Sequence, residues 1–92
     1  DHPFVIDGWK PNILGEVGCL REQTSGRCVT VLSSQPSVMI YTGNWLAGGC
    51  PETKSGGRYN DYDGVAIECQ NHPDAVNHPE FPSPLLRPGE TY

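Results

Sequence analysis

Gly64-Val65-Ala66-Ile67-Glu68-Cys69-Gln70 has the length, the β-branched residues and the flanking turn residues of a β-strand. Side chains alternate faces along a strand. Val65, Ile67 and Cys69 therefore share an apolar face, and Ala66, Glu68 and Gln70 share a polar one. A carboxylate in mid-strand among apolar neighbours is uncommon unless it has a partner or a task. It reads equally as a solvent-facing glutamate on a one-sided sheet.

Beyond this strand the chain is punctuated by proline: His72-Pro73, His78-Pro79, Phe81-Pro82, Ser83-Pro84 and Arg87-Pro88. Proline fixes its own φ and restricts the residue before it. Asn71 to Pro82 is thus a stiff loop dense in polar groups, a means of preorganising a site next to Glu68. Gly89-Glu90-Thr91-Tyr92 reads as the start of a further strand.

Upstream, Val38 to Thr42 and Cys28 to Leu32 read as strands, and Phe4-Val5-Ile6 is a short apolar run ended by Asp7-Gly8. Glu16 to Arg21 and Arg27 to Ser33 flank the turn-like Glu22-Gln23-Thr24-Ser25-Gly26 as a hairpin would. Leu46 to Tyr62, with Gly48-Gly49 and Gly56-Gly57, reads as a long surface loop of the functional or mobile kind. No helical periodicity and no internal repeat is evident, so the expected class is all-β.

Composition narrows the function classes. The 92 residues include 11 Gly and 9 Pro, with 36% hydrophobic residues, enough for one small domain or a piece of a larger one. The formal charge is −5 with only 6 Lys and Arg, which disfavours nucleic-acid and anionic-membrane partners. No apolar run approaches the roughly 20 residues of a membrane-spanning helix. The sequence opens on Asp1-His2-Pro3 without Met, as a processed chain or one cut from a longer protein does.

The cysteines are Cys19, Cys28, Cys50 and Cys69. The hairpin places Cys19 and Cys28 nearly opposite each other at bridging distance, and four cysteines allow three pairings. Bridged cysteines in an acidic chain favour a secreted or extracellular protein over a cytoplasmic one; free buried thiols are the other reading. No CxxC is present and the histidines sit in proline-rich loops, so no metal site is expected.

Four segments, taken together, resemble the aldose 1-epimerase family. Ile67-Glu68-Cys69-Gln70-Asn71-His72-Pro73-Asp74-Ala75-Val76-Asn77-His78-Pro79 is similar to its L-E-T-Q-x-x-P-D-S-x-N-x-P signature. Asp1-His2-Pro3-Phe4 resembles the end of G-Y-D-H-x-F, and Gln35 to Asn44 resembles Q-P-G-V-Q-x-Y-T-G-N. Leu86-Arg87-Pro88-Gly89-Glu90-Thr91-Tyr92 resembles L-x-P-G-E-x-Y. The segments keep the family's order and spacing and cover nearly the whole chain.

The resemblance implies the carboxyl-terminal part of a large antiparallel β-sandwich of the mutarotase type, residues 1–92 being one fragment of a single domain. It implies interconversion of α and β anomers of free hexoses such as galactose and glucose, without a cofactor. In that reading Glu68 is the catalytic base, Asp1 hydrogen-bonds sugar hydroxyls, and Met39, Asn44 and Gln70 are further candidate sugar contacts. The family's acid lies upstream of this stretch, so His2, His72 and His78 are not assigned that role. An amino-terminal companion chain is the implied partner. Met39 stands where many relatives carry a sugar-contacting glutamine, and a thioether cannot donate that hydrogen bond. A non-catalytic sugar-binding or storage relative is the alternative. Cys69 follows the base where Thr or Ser is common, and a Cys69–Cys50 bridge would tether the glycine-rich loop to the base's strand.

Overall fold

A computed structural model describes residues 1–49 and 52–92. Five strands are present among the described residues: β1 (His2–Val5), β2 (Gly15–Arg21), β3 (Cys28–Ser33), β4 (Ser37–Tyr41) and β5 (Ala66–Gln70). They form two antiparallel sheets, a three-stranded one in the order β1-β4-β5 and the β2-β3 hairpin. The class is all-β, as the sequence implies.

The registers settle which residues share a face, because directly opposed residues on neighbouring strands point the same way. Glu68 lies opposite Met39, which lies opposite Pro3; Gln70 lies opposite Ser37, which lies opposite Val5. The other face carries Phe4, Val38 and Cys69 in one row and His2, Ile40 and Ile67 in the next. This second face borders a cavity of about 410 Å³ whose far wall is the hairpin, through Val17, Cys19, Leu20 and Val31. The core is thin. Among the described residues only Pro36, Ser37, Val38, Gly43 and Ala75 are buried, whereas Val5, Trp45, Val29 and Leu85 are exposed.

The hairpin has a bulge between Glu16 and Gly18, which admits Val17 without a partner and increases the local twist. Its turn is closed by the Glu22 N–H donating to the Arg27 carbonyl (2.9 Å) and the Gly26 N–H donating to the Glu22 carbonyl (3.0 Å). Gly26 holds φ +72, a left-handed conformation costly for a residue with a Cβ. The Glu22 carboxylate also accepts from the Thr24 and Ser25 N–H groups at 2.7 and 2.6 Å.

The Ser25 and Thr24 hydrogen bonds favour the charged form of Glu22 and lower its pKa from the ordinary 4.5 to about 2. A lowered folded pKa means that this group's contribution to the turn is full above pH 4.5 and is lost as the pH falls through about 2. The Thr24 and Ser25 amide resonances are therefore expected to shift, and their hydrogen exchange to quicken, across that acid range. An NMR titration checks this, and a Glu22→Gln variant should lack the transition.

Three regions depart from the sequence expectation. Leu46–Gly49 is a single helical turn, α1, and Ala75–Asn77 is a turn of 3-10 helix. Elements this short contain less than two helical periods, so periodicity has no purchase on them. The expected strand at Gly89–Tyr92 is also absent. A turn stands there, in which the Glu90 N–H donates to the Arg87 carbonyl (3.0 Å) and the Glu90 carboxylate accepts from the Arg87 N–H (2.7 Å). Local capping by Glu90 outcompetes an extended conformation that has no neighbouring strand to pair with among the described residues. No helix among the described residues is long and apolar enough to cross a membrane.

Candidate active site

Glu68 sits at the middle of β5, flanked in sequence by half-buried Ile67 and Cys69 on the opposite face, and its own carboxylate is exposed. Beside it in the same row lies half-buried Met39. The strand below Glu68 is anchored at its end. Ser37 is only 1% exposed, and its hydroxyl donates to the Gln70 carbonyl at 2.9 Å. That bond joins β4 to β5 at the last pair of their ladder, and it fixes where β5 leaves the sheet. The Gln70 side-chain amide turns toward the next residue and donates to the Asn71 carbonyl at 3.3 Å.

The loop after β5 is held by more than its prolines. Asp74 adopts φ +59, and its carboxylate accepts from the Asn77 side-chain amide at 2.5 Å. His78 lies 3.5 Å from the Asp74 carboxylate and 2.9 Å from that of Glu80. The Glu80 pKa is lowered, first by a hydrogen bond from its own backbone N–H and then by His78. The Phe81 ring stacks obliquely against His72 and His78, with centroids 4.6 and 5.2 Å away. Both imidazoles are thus committed to the loop's own packing. The cluster itself was not legible, since nothing in the spacing of His72, His78 and Phe81 announces a shared stack.

Asp1 and Asn44 come together elsewhere. They border a hollow of about 360 Å³ with His2, Phe4, Ile40 and Thr42. Glu68 is not part of that lining, and His2, Phe4 and Ile40 belong to the sheet face opposite Glu68. The five candidate residues therefore form two groups in this chain: Glu68, Met39 and Gln70 on one face, and Asp1 with Asn44 at the sheet end.

Asn44 is positioned by a tight turn after β4. The Gly43 carbonyl accepts from the Tyr62 N–H (2.9 Å) and the Leu46 N–H (3.3 Å), and the Trp45 N–H donates to the Tyr41 hydroxyl (3.0 Å). The Asp61 carboxylate accepts from the Ala47 N–H at 3.0 Å. Thr53 closes a second turn, exchanging backbone hydrogen bonds with Gly56 and Gly57 at 3.0 and 2.9 Å. The segment expected to be a long surface loop is, among its described residues, folded back on Gly43 and internally tied.

Cys19 and Cys28 are not directly opposed. Cys19 faces Thr30 and Cys28 faces Arg21, so the two lie on a diagonal of the hairpin, yet their Sγ atoms are 2.6 Å apart. Cys69 is a half-buried thiol on β5 with no disulfide partner among the described residues. Cys50 lies outside the described residues, and so does the expected Cys69–Cys50 bridge. Among the described residues no group of three or more His, Cys, Asp or Glu side chains is placed to hold a metal ion.

The family profile described as aldose 1-epimerase matches residues 1–92. The chain is similar to the galactose mutarotase of Homo sapiens, at 45% identity over 100% of this chain and 26% of that protein. It is 53% identical to the galactose mutarotase of Rattus norvegicus, again over 100% of this chain and 26% of that protein. The aldose 1-epimerase of Escherichia coli (strain K12) is 44% identical over the same shares. The chain spans about a quarter of the length of these curated relatives.

Proposed function

The chain belongs to the aldose 1-epimerase family, and we propose that it is the carboxyl-terminal part of a mutarotase that interconverts the α and β anomers of free hexoses such as galactose and glucose. The observation that carries this reading is Glu68, an exposed carboxylate at the centre of a strand whose two ends are fixed by the sheet and by Ser37. A carboxylate so placed can take up and return a proton without moving, which is the task of a general base.

Glu68 removes the proton of the sugar's C1 hydroxyl while an acid protonates the ring oxygen. The bond from C1 to the ring oxygen breaks, C1 turns, and the ring recloses on its other face. Each proton taken is returned, so only protons move. The acid is supplied by an amino-terminal companion segment or chain of the same protein. Two observations support that partner: the chain spans about a quarter of its relatives' length, and large apolar side chains including Val5, Val29 and Leu85 are exposed, more than a solvated surface usually carries. Asp1 and Asn44 bind sugar hydroxyls once that partner completes the site.

The test is polarimetry of fresh α-D-galactose and α-D-glucose with the full-length protein. Acceleration above the spontaneous rate supports the reading. Saturable sugar binding without acceleration would overturn it in favour of a sugar-binding relative. Met39 favours that alternative at one point, because its thioether offers the sugar no hydrogen-bond donor. Met39→Gln is accordingly expected to lower KM about fivefold, the worth of one added hydrogen bond, with kcat little changed. Steady-state polarimetry over a range of sugar concentrations separates the two parameters.

A further inference from the structure

We propose that Cys19 and Cys28 form an oxidisable dithiol, a thiol–disulfide exchange site that closes a covalent bridge across the β2-β3 hairpin when it meets a small-molecule disulfide. Neither the sugar chemistry nor the family's activity uses this pair.

The geometry is particular to the hairpin. Register alone separates the two cysteines, since each faces a different residue. The right-handed twist of a two-stranded ribbon shortens one diagonal and lengthens the other, and this pair occupies the short one, with its sulfurs 2.6 Å apart. A bridge therefore needs no shift of strand register. Both thiols are exposed, so a solution reagent can reach them. Each strand is held independently of the sulfurs, by the β2-β3 ladder and by the closed Glu22–Arg27 turn. The reduced pair is thus already in the arrangement that the bridge would keep.

The adjacent Cys19 sulfur raises the Cys28 pKa above its ordinary value. Both thiols are exposed, so either can make the first attack. In the exchange that begins at Cys19, the Cys19 thiolate attacks one sulfur of a disulfide such as oxidised glutathione, forming a mixed disulfide and expelling one glutathione thiolate. The Cys28 thiolate then attacks Cys19 Sγ, forming the protein disulfide and expelling the second. The two protein thiol protons pass to the departing thiolates, giving two molecules of reduced glutathione. Cys19 also lines the apolar cavity beneath the hairpin with Phe4, Val38 and Ile67, so the bridge forms at the edge of the contact between the two sheets.

The test uses the full-length protein, fully reduced and then exposed to oxidised glutathione, with remaining thiols alkylated and peptides mapped by mass. The expected product is a Cys19–Cys28 cross-linked peptide with no retained glutathione. Cys19→Ser and Cys28→Ser should each retain one glutathione on the remaining cysteine, because the resolving thiol is gone. Alkylation of both Cys19 and Cys28 in the treated wild-type protein, a glutathione held on each of these two, or a cross-link from either one to Cys50 or Cys69 would overturn the proposal.

Discussion

Glu68→Gln is expected to reduce the acceleration of hexose mutarotation by about 10²- to 10⁴-fold, the usual contribution of a positioned general base. The amide keeps the size and shape of the side chain but cannot accept a proton at the working pH. Glu68 is exposed and no hydrogen bond of the fold depends on its carboxylate among the described residues, so the substitution should leave the melting temperature nearly unchanged. Both readouts are needed. A loss of rate with an unchanged melting curve assigns the chemistry to Glu68. A loss of rate with a fallen melting temperature would mean that the carboxylate holds the structure.

The second large effect is expected at Gly43. This residue holds φ +75, and a Cβ built there would lie 2.7 Å from the Gly64 carbonyl oxygen and 2.8 Å from Leu46 Cδ1. The Leu46 side chain can give way, but the Gly64 carbonyl is backbone next to β5 and cannot do so cheaply. Gly43→Ala therefore combines a disfavoured left-handed conformation with a clash, and about 1–3 kcal/mol of stability should be lost. The Gly43 carbonyl also gathers the Tyr62 and Leu46 N–H groups, and Asn44 is the next residue. The variant is accordingly expected to show a raised KM for hexose along with its lower urea midpoint. Urea unfolding and sugar-dependent rates on one preparation check both. A variant as stable as the parent would show that the turn after β4 relaxes more freely than this geometry allows.

The chain's own residues announced some of this and withheld the rest. Alternation along Ala66–Gln70 assigned Glu68 and Gln70 to one face and Ile67 and Cys69 to the other, and the register with Met39, Ser37 and Val38 agrees. That reading succeeds because a strand's period is a local property. The turn that carries Glu22 and Gly26 was legible for the same reason. What was not legible depends on residues far apart in sequence. The clash that reserves position 43 for glycine comes from Gly64, and the anchor of β5 comes from Ser37, 33 residues before the Gln70 carbonyl it binds. Both are facts of tertiary packing. The cysteine pair lies between these cases: a hairpin was foreseen, but as an opposed pair, and only the twist of the ribbon explains why a diagonal pair meets instead.

The candidate site divides in the same way. Motif matching pointed to Glu68, Met39 and Gln70 as well as to Asp1 and Asn44, and the fold gathers them into two groups on different parts of one sheet. A motif reports which residues recur together along a chain. It does not report the direction in which each faces.

The most direct measurement of the central claim is two-dimensional exchange NMR on galactose at anomeric equilibrium, with the full-length protein and with its Glu68→Gln variant. At equilibrium no net reaction occurs, so exchange between the α and β anomeric protons reports the catalysed step alone. The predicted result is strong exchange with the parent protein and exchange no faster than in buffer with the variant. Equal exchange in the two proteins would contradict the account and remove Glu68 from the chemistry.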